Sequence, residues 1–326
     1  MIITVQGSQY GNNGSAQLIA ALSFVGIAKD KRSTLIVQLE NRTNKNVENY
    51  LIGQSVRNES LIKDASIPDI SSGMDALMMH SSDQVNAKLL QECTRPLVVS
   101  SSANVYDIAF SSRRDSFEKE IMDKNARESD DGGYITSFLR NASEAYDMVY
   151  VMLPSKNLRL CTAALECADV NIVTVIQGRA EAVNLCKKRN IFVAYDYCSG
   201  SAYGSKSLMK AYNIPTIYGI MHSVAFNDAC AEGTVLNFMN QNIKDTPENV
   251  NYDFVHNIEL IYHGIMRDSQ KKVDESPINS VIKKNVEDPF IATEWAPVDE
   301  NVKVEVRKRG NVTRLVAPDP DDQENN

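Results

Sequence analysis

The chain opens MIITVQGSQYGNNGSAQLIAALS, Met1 to Ser23, and this stretch decides how the rest is read. The apolar run Ile2 to Val5 leads into a turn rich in glycine and asparagine, then into an alanine- and leucine-rich helix. A strand, a glycine loop and a helix at the head of an α/β domain form a phosphate-binding unit, because backbone N–H groups and the helix N-terminus converge on one point. Three readings fit the loop alone. It can be a phosphate loop, the glycine finger of a dinucleotide site built from Gly7, Gly11 and Gly14 with Glu40 on a ribose, or only a tight turn. A working phosphate loop, G-x-x-x-x-G-K-[ST], uses its lysine on the β- and γ-phosphates and its hydroxyl on magnesium. Gly14 stands at the glycine before that lysine, yet Ser15 and Ala16 follow it, so both chemical positions are blank.

Composition narrows the choice of partner. The 326 residues are 43% hydrophobic and 23% charged, ordinary for a globular chain with one large core or one domain and a tail. The formal net charge of −8 argues against nucleic acid, because non-specific DNA binding neutralises phosphates with Lys and Arg. The one dense basic run is Lys303 to Arg314. No window of about 18 apolar residues predicts a membrane span, and the N-terminus lacks the basic and apolar regions of a signal peptide. A cytosolic protein is expected, with any membrane contact peripheral or through partners. Cys93, Cys161, Cys167, Cys186, Cys198 and Cys230 form no C-x-x-C and have no histidine at finger spacing, so buried small hydrophobes are expected rather than metal ligands. Of the four scattered histidines, His256 and His263 share one helical stretch, where a partly solvated structural role is expected.

Strands and helices alternate along the chain. Thr34 to Leu39 reads as a buried parallel strand, and Asn41 to Asp69 as a loop with a short helix. Gly73 to Leu77 precedes a helical stretch, Val85 to Cys93, and a strand-like run, Pro96 to Ser100. The mixed charges of Arg113 to Gly133 predict a solvated helix and loop. Tyr134 to Ala145 has helical spacing with Ile135, Phe138 and Leu139 on one face, and YDMVYVMLPS, Tyr146 to Ser155, reads as a central strand. Three further strands are expected at 171–175, 191–195 and 216–220, with helices over 180–188, around Leu208 and after Ile220. Asn251 to Asp268 predicts a last amphipathic helix, with Phe254, Ile258, Ile261 and Ile265 on its apolar face. Beyond about Asp274 the apolar density falls and prolines, Trp295, the basic run and an acidic end remain, the composition of a partly disordered or docking tail. The alternating basic run KVEVRKRGNVTR also reads as a small hairpin.

Together these motifs resemble the ParA/MinD family. From Tyr10 the loop is similar to that family's deviant phosphate loop, K-G-G-x-G-K-[ST], with Gly11 and Gly14 framing the turn and Tyr10 at the additional signature lysine. Tyr146, Asp147 and Pro154 match the pattern Y-D, four apolar residues, D-x-P, whereas Met152 takes the place of the closing acid. The second strand, which ends D-x-D in the family, here carries Gln38 and Glu40. Ile220, Phe226, Ala229, Gly233 and Leu236 fall in register with the closing motif, with Tyr218 at its glycine and Met221 at its proline. Ala194 stands where an asparagine reads the adenine edge.

The resemblance implies a doubly wound, mostly parallel α/β sheet of about seven strands with helices on both faces over 1–270, and an extension over 271–326. It places a degenerate nucleotide loop at Gly11, Asn12, Asn13, Gly14, Ser15 and Ala16, and degenerate acid positions at Gln38, Glu40 and Met152. Phosphoryl transfer is mostly positioning and charge stabilisation. This chain lacks lysine at Tyr10 and Ser15, hydroxyl at Ala16 and aspartate at Gln38 and Met152, so hydrolysis is not expected. No cofactor or metal is expected, although loop N–H groups alone leave weak ATP or ADP binding open. The subgroup with atypical loops that it most resembles is TadZ/CpaE-like, whose members mark a pole or membrane site for pilus or secretion machinery. The resemblance thus implies a non-catalytic dimeric scaffold, paired with itself or an active paralogue, with Tyr10, Asn12 and Asn13 at the interface. Two alternatives stand beside it: a plasmid partition or conjugation accessory protein with weak nucleotide binding, and an NAD-binding oxidoreductase. Against the last, Tyr203 and Lys206 are spaced Y-x-x-K rather than the Y-x-x-x-K of short-chain dehydrogenases.

Overall fold

Every residue of β1 (Ile2–Gln6) is buried, so the strand has no face left for water and has to lie inside a sheet covered on both sides. The computed structural model places it there. It describes residues 1–7, 14–39, 47–51, 73–99, 105–108, 117–128, 133–154, 157–178, 181–244, 246–267, 306–309 and 312–315. The chain divides into two units, Met1–Glu275 and Ser276–Asn326.

In the first unit β1 is followed by α1 (Ser15–Asp30), β2 (Thr34–Gln38), α2 (Val47–Leu51), α3 (Gly73–Leu77), α4 (Ala87–Cys93), β3 (Arg95–Val99) and β4 (Val105–Ile108). Next come α5 (Phe117–Arg127), α6 (Tyr134–Ala145), β5 (Met148–Met152), α7 (Leu158–Cys167), β6 (Val170–Val175) and β7 (Asn190–Tyr197). The unit closes with α8 (Ser205–Tyr212), β8 (Tyr218–Met221), α9 (Val224–Glu232), α10 (Val235–Asn242) and α11 (Tyr252–Met266). Six strands form one parallel sheet in the order β2-β5-β1-β6-β7-β8. The strand-like run after α4 does not join it: β3 pairs antiparallel with β4 in a separate ribbon. In the second unit β9 (Val306–Arg309) and β10 (Val312–Leu315) pair antiparallel within the basic run.

Alternation along the strands builds a core on each face. Ile3, Val5, Ile36, Met148, Tyr150 and Met152 join α1, α10 and α11, while Ile2, Leu35, Val37, Val149 and Val151 join α6 and α7. Phe117 and Ile121 of α5 are fully buried, so the solvated reading of the charged stretch holds only for the outer side of this helix. Four of the cysteines are buried, Cys167 is half-buried and Cys198 is exposed, which departs from the expectation of six buried thiols. Among the described residues no helix is long and apolar enough to cross a membrane.

The helix expected over 180–188 is absent; residues 181–186 run irregularly. The reason lies in asparagine side chains that take the backbone groups a helix would need. Asn190 Oδ1 accepts from Cys186 N and its Nδ2 donates to Cys186 O, while Asn171 Nδ2 donates to Asn184 O and to Asn190 Oδ1. The Tyr212 hydroxyl accepts from Glu181 N. Asn171 is fully buried and also accepts from Thr4 Oγ1 at 3.0 Å. Asn171→Ala leaves several buried groups unpaired and is expected to cost about 1–3 kcal/mol per group, read from the urea midpoint of the full chain.

At the start of β1, Asp169 accepts from Ile2 N at 2.7 Å and from the Lys188 ammonium. Burial alone would push this carboxyl up, but those two donors hold it below the usual carboxylate range. A carboxyl with a depressed folded pKa stabilises the fold above its unfolded pKa, and that contribution is lost as pH falls through the folded value. The stability gap between the chain and Asp169→Asn is therefore expected to narrow between about pH 5 and pH 2, followed by urea unfolding at each pH.

Candidate functional site

In an open α/β sheet, ligands bind outside the C-terminal strand ends where the strand order reverses. Here that crevice lies over β1, because α1 carries the chain from β1 to β2 past the strand that fills the gap, β5. Met152 is the register partner of both Val5 and Gln38, so the ends of β1, β2 and β5 lie side by side. The structure thus brings together Gln38, Met152, Gly14, Ser15 and Ala16. Tyr10, Gly11, Asn12, Asn13 and Glu40 lie outside the described residues.

Gly14 starts α1 with φ 70° and ψ 10°, a left-handed conformation that favours glycine, and its carbonyl accepts from Leu18 N at 2.7 Å. The space beside its Cα is taken by Tyr195, near the C-terminal end of β7: a Cβ at Gly14 would sit 2.3 Å from the ring carbons Cγ and Cδ1. Burial pushes the Tyr195 phenol well above its ordinary value, with Cys230, Asp196 and Tyr50 nearby, and its buried hydroxyl has no partner among the described residues. An aromatic ring therefore packs against Gly14 at the N-terminal end of α1.

The other positions are built into the fold as well. Gln38 is 2% exposed and its Oε1 accepts from Val47 N at 3.2 Å, capping the first turn of α2. Met152 is 3% exposed, with its thioether in the apolar cluster behind α1. Ser15, Ala16 and Gln17 are buried, and the Oε1 atoms of Gln6 and Gln17 have no partner among the described residues. A magnesium triphosphate needs a cation on its phosphates and a hydroxyl and carboxylate on its metal. The described side chains at those places are a serine, a methyl, an engaged amide and a thioether, and they do not fit it. No group of three metal-ligating side chains occurs among the described residues.

Ala194 is 1% exposed and leaves no polar group to read a base edge. Two residues farther along the strand, sequence reasoning missed a feature: Asp196 Oδ1 bonds His222 Nδ1, joining the ends of β7 and β8. Asp196 has φ 58°, and the β7–β8 register breaks between Ala194 and Tyr197. Nothing in the spacing of an aspartate and a histidine 26 residues apart announces the pair. Both side chains are half exposed, so the pair holds the two strand ends together at the surface.

No protein-family model matches the sequence, and no curated protein matches it. Solved structures do. A ParA family ATPase from Chlorobium tepidum aligns with TM-score 0.58 and 13% identity over 80% of this chain and 97% of its own. The septum site-determining protein MinD from Pyrococcus horikoshii, complexed with Mg-ADP, aligns with TM-score 0.52 and 12% identity over 84% and 99%. A Borrelia burgdorferi protein described as a plasmid partition protein, bound to AMPPNP, aligns with TM-score 0.50 and 14% identity over 83% and 99%. The chain has the fold of the ParA/MinD-type P-loop ATPases. At these identities the likeness is one of fold.

The contact between Gly14 and Tyr195 can be measured by a double-mutant cycle. Gly14→Ala places a side chain at positive φ and drives it into the ring, so a loss of more than about 2 kcal/mol is expected. In a Tyr195→Ala background the same change should cost only the backbone term, about 1–2 kcal/mol. Equal costs in both backgrounds would show that the ring does not cover Gly14.

Proposed function

We propose that this chain is a non-catalytic counterpart of the ParA/MinD ATPases, acting as a dimeric scaffold or localisation factor. One observation carries the reading: the residue at the position of the magnesium-organising acid, Met152, is 3% exposed and part of the core. Supporting it, Gln38 is engaged as a helix cap and Tyr195 covers Gly14. A site whose former chemical positions are packed into the fold presents a shape rather than a reaction. Its dimer forms through the loop face, between two copies or with an active paralogue. Within this reading the role is TadZ/CpaE-like, a positional mark that recruits pilus or secretion proteins.

The fold neighbours favour a second reading, since one is described as a plasmid partition protein. In that role the chain is an accessory in DNA segregation or conjugation and keeps weak nucleotide binding through loop N–H groups. The net charge of −8 counts against direct DNA contact outside the basic run.

Titration calorimetry and a phosphate-release assay on the full chain test the catalytic part. No ATP turnover and no heat at affinities tighter than about 100 μM are expected with magnesium present. Micromolar binding with measurable turnover would overturn the non-catalytic reading. A salt-sensitive gel shift of plasmid DNA that survives deletion of 303–326 would move the assignment to the partition reading.

A further inference from the structure

The opposite edge of the sheet, where the strands begin, carries a cavity of about 680 Å³ lined by Asp30, Arg32, Leu260, His263, Met266 and Arg267. It lies between the C-terminal ends of α1 and α11, remote in the topology from Gly14 and Met152. Its volume falls in the range of small-molecule sites.

The charges around it are unevenly matched. Asp30 accepts from the Tyr262 hydroxyl at 2.6 Å, and Glu259 lies 2.8 Å from the Lys29 ammonium. Asp147 accepts from the N–H and hydroxyl of Ser33, both at 2.8 Å, and Asp169 holds Lys188 and Ile2 N. The carboxylates of this edge are thus engaged, whereas neither Arg32 nor Arg267 forms an ion pair among the described residues. The Nε of Arg32 is buried without a partner among them. That nitrogen is out of a ligand's reach, but Arg32 and Arg267 both line the wall of the cavity, where an incoming anion would meet them.

We infer that this cavity binds a small molecule bearing a phosphate monoester. Two guanidiniums offer forked donors to the phosphate oxygens, the geometry in which arginine recognises such groups. The His263 imidazole adds a donor at the rim. Leu260 and Met266 give the apolar part of the ligand a surface to lie against. The site is independent of the nucleotide loop, so it stands or falls separately from the scaffold reading.

Methionine-methyl NMR of the full chain tests it, with phenyl phosphate as the probe at low salt. The Met266 methyl reports on this cavity and the Met152 methyl on the opposite edge. A saturable shift of Met266 is expected, with affinity falling about tenfold or more in Arg267→Gln, whose exposed position leaves folding intact. Arg32→Gln should weaken binding by at least as much, provided its spectrum shows the native dispersion. Absence of a saturable Met266 shift up to about 10 mM probe would overturn the proposal. So would undiminished affinity in Arg267→Gln, or a response confined to Met152.

Discussion

Helix α1 has no polar face along most of its length, and the remaining architecture answers that fact. Its twelve residues from Ser15 to Gly26 are all buried, so it has to be enclosed on every side. The sheet supplies one wall, through Ile3, Val5, Ile36, Met148 and Tyr150; α10 and α11 supply the other, through Phe238, Met239, Ile258 and Ile261. Gly26 lets the walls close, since a Cβ there would come within 3.1 Å of Met148 Sδ and 3.2 Å of the Tyr262 ring. A phosphate-loop fold needs this helix held firmly under its loop. Removing the enclosure would open the core itself.

Each end of α1 then serves a different edge of the sheet. At its N-terminus Gly14 meets the ring of Tyr195, and Gln38 and Met152 sit at adjoining strand ends. At its C-terminus Asp30 is held by Tyr262, and the chain turns through Lys31 in a left-handed cap whose N–H reaches Gly26 O and Ile27 O. That turn delivers Arg32 to the cavity beside Arg267. One helix thus sets the positions of the strand ends around Gly14 and of the cavity at the opposite edge.

The residues at the ends of these strands and at the start of α1 share a physical character. Gln38 keeps hydrogen-bonding capacity but directs it to Val47 N. Met152 needs neither solvent nor metal and makes apolar contact in the core. Tyr195 places a ring against Gly14. Each gives the fold an internal contact.

Local pattern alone determined the strands at Ile2, Thr34 and Met148, the helix over 134–145 and the last helix, because alternation and helical spacing record which side chains leave water. It also named the blank positions Ser15, Ala16, Gln38 and Met152, since a motif is a statement about residue identity. Only the tertiary structure decided what occupies them. The ring of Tyr195 over Gly14, the bond from Asp196 to His222 and the asparagines that keep residues 181–186 out of a helix all join residues from different elements. Such partnerships arise when packed layers bring distant strand ends within a few ångströms, and no local period in the chain encodes that proximity.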